Sequence, residues 1–257
     1  VPAGKFNLFD NGSTFETDAI KLILNNKTND ALDLCISNDK LLEALIIAMN
    51  GTDSMKAKAR GAYFTKFANE SSFSRLLYSA STTDVIDIVE NAELDESSWK
   101  NVAKSIVSFS QGTPKFEKEM KTLGNRLMDS NIPNSRDIAF KCYVAANALD
   151  KISLIWLDEL TTYEKFYLET PNENGDRNTS FEARFKALGE VIEKTIIFES
   201  ICHSESSEGL EPLGKAFQEY ANYLANFGHF ELAYKILEKV DDSIPGIKEE
   251  KTRITKA

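Results

Sequence analysis

Residues 29 to 51 read NDALDLCISNDKLLEALIIAMNG. Two runs of helix-forming residues flank Asn38 and Asp39, and nothing but that polar pair turns the chain between them. The stretch therefore reads as two short helices joined by a tight polar turn. The second run, Leu41 to Met49, is apolar on nearly every side, with Lys40 and Glu43 as its only charges. A surface helix keeps an apolar stripe about 100° wide and leaves the remainder polar. A short helix that is apolar all round is therefore expected between layers of other helices, buried on several sides.

The hairpin phrase returns along the chain. It is echoed by ANALDKISLIWLDEL at 146–160 and by NFGHFELAYKILEKV at 226–240. The intervals are irregular, which excludes a fixed-period repeat array and predicts stacked hairpins of varying length. Apolar residues at spacings of three and four support helices elsewhere: Trp99, Val102, Ile106 and Phe109; Phe116, Met120, Leu123 and Leu127; Phe185, Leu188, Ile192 and Ile196; Leu213, Phe217, Tyr220 and Leu224. Ser13 and Glu16 have capping-box spacing, and Pro114, Pro133 and Pro212 stand near helix starts, where a missing N–H costs nothing. The expected fold class is all-α, an irregular α-solenoid of stacked helical hairpins with at most one short N-terminal strand, GKFNLF at 4–9. Residues 1–12 are expected as an extended segment, 13–240 as one elongated solenoid unit with a mobile loop at 170–180, and 241–257 as a polar, solvated tail.

The 257 residues are 42% hydrophobic and 27% charged, sufficient for a core. A net charge of −10 speaks against non-specific nucleic-acid binding and against an anionic membrane surface. No apolar run approaches the ~18 residues of a membrane span. The chain opens on Val1-Pro2 without a signal segment, as expected of a piece cut from a longer protein. Cys35, Cys142 and Cys202 lie in helical apolar patterns, where a thiol behaves as a small hydrophobe, and their odd count favours a reducing compartment. Five N-x-S/T triplets begin at Asn11, Asn26, Asn50, Asn69 and Asn178, mostly where helices start or stop, and read as caps rather than glycosylation sites.

Catalytic constellations are missing from the pattern. GLEPLG at 209–214 lacks the lysine of a phosphate loop, and the two histidines, His203 and His229, have no zinc-site spacing to any cysteine. Cys202 and His203 are adjacent on a helix and point about 100° apart, so they do not form a nucleophile–base pair. Trp99 and Trp156 sit on helical stripes and read as core. The expectation is a non-enzyme with no catalytic residue, metal ligand or cofactor.

The ordered set of residues resembles a known family. Ala31, Leu34, Cys35, Asn38, Lys40, Ala44, Leu45, Ala48 and Gly51 match the opening hairpin of the ancestral coatomer element in the large outer-shell subunit of the COPII vesicle coat. Tyr63-Phe64, Ser74-Arg75-Leu76, Ile88-Val89, Trp99-Lys100, Leu123 to Leu127, KCYVAANALDKISLIWL and YANYLANFG follow in the family's order, covering about residues 18 to 240. Val85 stands where the family often has Trp. The resemblance implies a structural scaffold that forms the rod of the coat on vesicles budding from the endoplasmic reticulum. It implies a WD-repeat propeller subunit and a second copy of the chain as partners, inner-coat subunits reached through other regions, and indirect, peripheral, cytoplasmic membrane association. Phe6 and Leu8, on one side of the leading segment, would then be the partner-binding residues, adding a strand to the propeller. The runner-up is a relative on the same solenoid, either an exit-site organiser or a nuclear-pore nucleoporin. A helical enzyme is the distant alternative.

Overall fold

The computed structural model describes residues 4–9, 13–67, 71–172, 175–202 and 209–256. Helix accounts for 73% of the described residues. Among them no strand forms, and the only β-type pairing is an isolated bridge between Pro171 and Arg177. The candidate strand at 4–9 does not form, within the expectation of at most one, because one short segment with no sheet to join gains no ladder bonds. The chain divides into two compact units, Val1–Ile88 and Val89–Ala257, where the sequence had suggested one. No Pro- or Gly-rich linker marks the division, which falls inside a six-residue helix.

The first unit holds α1 (Thr14–Leu24), α2 (Thr28–Ser37), α3 (Leu41–Met49), α4 (Asp53–Phe67), α5 (Ser72–Thr82) and the start of α6 (Ile86–Asn91). Its core joins Leu32 and Cys35 of α2, Ala44 and Ala48 of α3, and Met55 and Ala59 of α4. The second unit continues through α7 (Trp99–Ser110), α8 (Lys115–Met128), α9 (Ser135–Ala145), α10 (Leu149–Asp158), α11 (Leu160–Glu169), α12 (Ser180–Ile201), α13 (Glu211–Asn226), α14 (Phe230–Glu238) and α15 (Ile247–Thr255). Within each unit consecutive helices pack on one another as stacked hairpins, the α-solenoid pattern.

One turn geometry builds four of these hairpins. After α2 closes at Asn38, Asp39 takes φ 58°, its amide donates to the Ile36 carbonyl at 3.1 Å, and the Lys40 amide donates to the Cys35 carbonyl at 2.9 Å. These two bonds satisfy carbonyls that a helix end would otherwise leave open. The same pair recurs at Asn26-Lys27, Asn147-Ala148 and Gly228-His229, with φ of 57°, 51° and 81° at the left-handed residue. Four residues beyond the turn stand Ala31, Ala44, Ile152 and Ala233, all fully buried, and one helical turn later Cys35, Ala48, Trp156 and Leu237 are buried too. Small residues at three of the four first positions let the paired helices approach closely.

The second unit is fixed by two further devices. Gly124 of α8 faces the Tyr143 ring of α9, where an added Cβ would lie 2.6 Å from Cε1. Arg184 of α12 donates through Nε and Nη2 to Glu219 of α13 at 2.8 and 2.7 Å, and through Nη1 to Glu164 of α11. In the 170–180 connection, expected as a mobile loop, the described end next to α12 is tied by Asn178. Its Nδ2 donates to the Tyr167 and Thr170 carbonyls and its Oδ1 accepts from Lys186. Thr179 then caps α12 in a capping box with Glu182. Buried Asn178 thus bonds the end of α11, while the cap of α12 itself is Thr179. Residues 241–257 are not a solvated tail: α15 packs on α13 and α14 and buries Ile247 and Ile254.

Candidate partner interface

The leading segment runs as irregular chain from Gly4 to Phe9, and the Phe9 amide donates to the Asn7 side chain at 3.3 Å. Phe6 is 84% exposed and Leu8 46% exposed. The two residues singled out from sequence therefore differ: Phe6 touches little, whereas Leu8 joins Asn7 at a groove of about 410 Å³. Phe15, Ile20 and Ile23 of α1 and Ile46 of α3 line that groove, with Glu16 and Glu43 as its charges. Glu16 also accepts the Ser13 amide at 2.8 Å, completing the capping box that sets where α1 begins. Beneath the groove the Cys35 thiol is pushed up by burial and by the Glu43 carboxylate, and it stays protonated at neutral pH.

α3 answers its sequence differently from the expectation. Leu41, Ala44 and Ala48 face the core and Leu45 is half-buried, but Leu42, Ile46 and Met49 are 68%, 57% and 70% exposed. The residues needed for hairpin contact form one stripe of small and medium side chains, and a second apolar stripe at i, i+4 and i+7 is left facing outward. A helix apolar all round was read as buried all round; it instead carries one core face and one uncovered face. α5 shows the same feature in sharper form. It buries Ser74 and Ser79 while Phe73, Leu76 and Leu77 are exposed. Uncovered apolar stripes of this kind mark surfaces of association. Periodicity located these helices, but only contact with neighbours shows which face is taken.

Among the described residues no three His, Cys, Asp or Glu side chains stand together to hold a metal ion. No helix of the described residues is long and apolar enough to cross a membrane. Cys202 closes α12, and His203 lies outside the described residues, as do the triplets at Asn11 and Asn69. Cys142 is buried with its thiol pushed up to about 11 by desolvation, the opposite of an activated nucleophile.

No family model matches the chain. Individual proteins do. The Protein transport protein SEC31 of Meyerozyma guilliermondii is 40% identical over 265 aligned residues, covering 100% of this chain and 20% of that protein. SEC31 of Saccharomyces cerevisiae is 32% identical over 255 residues, 98% of this chain and 19% of the relative. A solved structure, "COPII on membranes, outer coat right-handed rod, class1", superposes with a TM-score of 0.64 at 30% identity, covering 99% of this chain and 70% of that one. The chain belongs to the SEC31 family. A second solved structure, "The structure of the COPII coat assembled on membranes", matches with a TM-score of 0.62 over 99% of this chain and 35% of its counterpart. The chain spans about a fifth of the length of the SEC31 relatives it matches.

Proposed function

We propose that this chain is a scaffold segment of the COPII outer coat, contributing its stacked hairpins to the rod of the cage on vesicles leaving the endoplasmic reticulum. The observation that carries this reading is the match to the outer-coat rod, at 30% identity across 70% of that chain. A rod needs stiff, close-packed elements and surfaces for association. The repeated hairpin turns supply the first, and the exposed stripes of α3 and α5 are suited to the second. Similarity to SEC31 along the full chain favours the coat over the exit-site organiser and nucleoporin alternatives. In this role the chain works from the cytoplasmic side, peripheral to the membrane, with inner-coat subunits reached through other regions of the longer protein and a second copy as a further partner.

Within that assembly Phe6 and Leu8 are assigned to the WD-repeat propeller subunit. A segment that alternates Phe6 and Leu8 with Asn7, yet forms no strand alone, suits a strand that orders only on pairing with a partner sheet. Calorimetric titration of the propeller subunit with the chain and with the Phe6→Asp, Leu8→Asp double variant tests the assignment. The double variant is expected to bind at least about tenfold more weakly; equal affinities would remove the segment from the interface. The wider reading is tested by using the tagged chain as bait in cytosol. Recovery of COPII subunits supports it, and recovery of nucleoporins without them overturns it.

A further inference from the structure

The second unit carries a groove whose shape and charge point to another kind of partner. α12 and α14 both pack on α13 and leave a groove of about 650 Å³ between them. Gly189, Ile196 and Ile197 of α12 form one wall, Leu232 and Ile236 of α14 the other, and Tyr220 of α13 contributes to the lining between them. Gly189 keeps the wall low: a Cβ built there would meet only the Tyr220 ring, at an ordinary 3.6 Å. Ile197 is 52% exposed and Leu232 48%. The walls are helices with their backbone bonds already made, so a strand would find no free edge to pair with. A groove between helix walls accepts a third helix, through ridges of side chains spaced at i and i+4.

Three charged side chains line the groove, and two are already engaged. Lys186 donates to Asn178 Oδ1 at 2.8 Å, and Glu190 accepts the Tyr167 hydroxyl at 2.7 Å. Glu193, exposed on the α12 wall, makes no hydrogen bond or ion pair among the described residues. An occupant that brings a Lys or Arg to Glu193 gains a charge-assisted bond at no cost to an existing one. A second copy of this chain is poorly suited to the position. Each copy carries a net charge of −10, so a second copy brings mostly like charge to Glu193, whereas a basic helix brings the opposite one.

We infer that the α12–α14 groove is a docking site for an amphipathic helix of a partner protein, with apolar residues at i and i+4 seated between Ile197 and Leu232 and a Lys or Arg paired with Glu193. This site belongs to the second unit and does not depend on the assignment of the leading segment to the propeller.

Two synthetic helical peptides of about 15 residues serve as probes, both with leucines at i, i+4 and i+7. One carries lysines on its flanks, the other glutamates. Fluorescence anisotropy against the intact chain should show saturable binding of the lysine peptide, and the Ile197→Asp, Leu232→Asp double variant should weaken it at least about tenfold. Glu193→Lys should weaken the lysine peptide about threefold or more and strengthen the glutamate peptide. Because all three substituted side chains are exposed, the variants should keep the circular dichroism and melting of the parent. If the double variant misfolds, the charge exchange at Glu193 still decides. No binding to the parent, unchanged affinity in the double variant, or a charge preference untouched by Glu193→Lys would each overturn the proposal. So would a dimer of the chain, seen by sedimentation, that the double variant dissociates, since that gives the groove to a second copy. Displacement of the peptide by the propeller subunit would likewise assign the groove elsewhere.

Discussion

The same substitution should have opposite effects at two glycines. Gly124 is buried in α8 against Tyr143, and a Cβ there would lie 2.6 Å from Cε1, 2.8 Å from Cδ1 and 3.2 Å from Cζ. The obstacle is a ring 3% exposed, held at its far end by a hydrogen bond from Oη to Asn125 Oδ1 at 3.0 Å. It has no room to swing aside, so Gly124→Ala must separate α8 from α9 or bend the ring off its rotamer. Overpacking of this kind costs about 1–3 kcal/mol. Removing a helical glycine returns at most about 1 kcal/mol. The net expectation is a loss of about 1–2 kcal/mol. Gly61, exposed in the middle of α4, has nothing within 4 Å of its added Cβ, so Gly61→Ala should gain about 0.5–1 kcal/mol. Urea titration by far-UV circular dichroism, with amide exchange to assign each change to its own unit, reads both. If Gly124→Ala stabilises as Gly61→Ala does, the close approach of α8 to α9 does not exist.

Two further outcomes follow from the packing and the charges. Leu45→Ala, on the half-buried side of α3, should cost less than the ~2 kcal/mol at which full burial begins, and Ile46→Asp on the uncovered stripe should stay within about 0.5 kcal/mol of the parent in urea melts; a large loss from Ile46→Asp would place that stripe in the core. The Arg184 guanidinium holds the Glu219 carboxyl below its ordinary value of 4.5, more than offsetting the desolvation that opposes it. Glu219 binds protons less readily folded than unfolded, so its stabilisation is complete above that value and is lost as pH falls through the lower folded one. Thermal melts between about pH 6 and pH 2 should therefore fall more steeply for the parent than for Glu219→Gln, and parallel profiles would dismiss the Arg184 hub.

The hairpins were legible because their turns need residues that accept positive φ, and Asn26, Asp39, Asn147 and Gly228 are such residues. Four positions after the following cap, Ala31, Ala44 and Ala233 are small and fully buried, a regularity that emerges only once the turns are placed. The outward stripe of α3 was not legible, since Leu42 and Leu41 look alike until a neighbour covers one of them. α15 was missed because only Ile247 and Ile254 carry its apolar signal, among lysines and glutamates. The Arg184 hub joins partners 20 and 35 residues away, beyond any local pattern. The division within α6 has no signature in composition. At the candidate interface, Phe6 and Leu8 were legible as an alternating pair, while the groove lined by Leu8 depends on how α1 and α3 both pack beside α2.

The role in the coat is tested most directly by reconstitution. SEC31 in which this chain replaces the matching residues would be mixed with the other COPII subunits on liposomes and imaged by cryo-electron tomography. Outer-coat rods of normal length on budded tubules are expected. Membranes that carry the inner layer but no rods, with the chimera folded and abundant, would contradict a scaffold function for this chain.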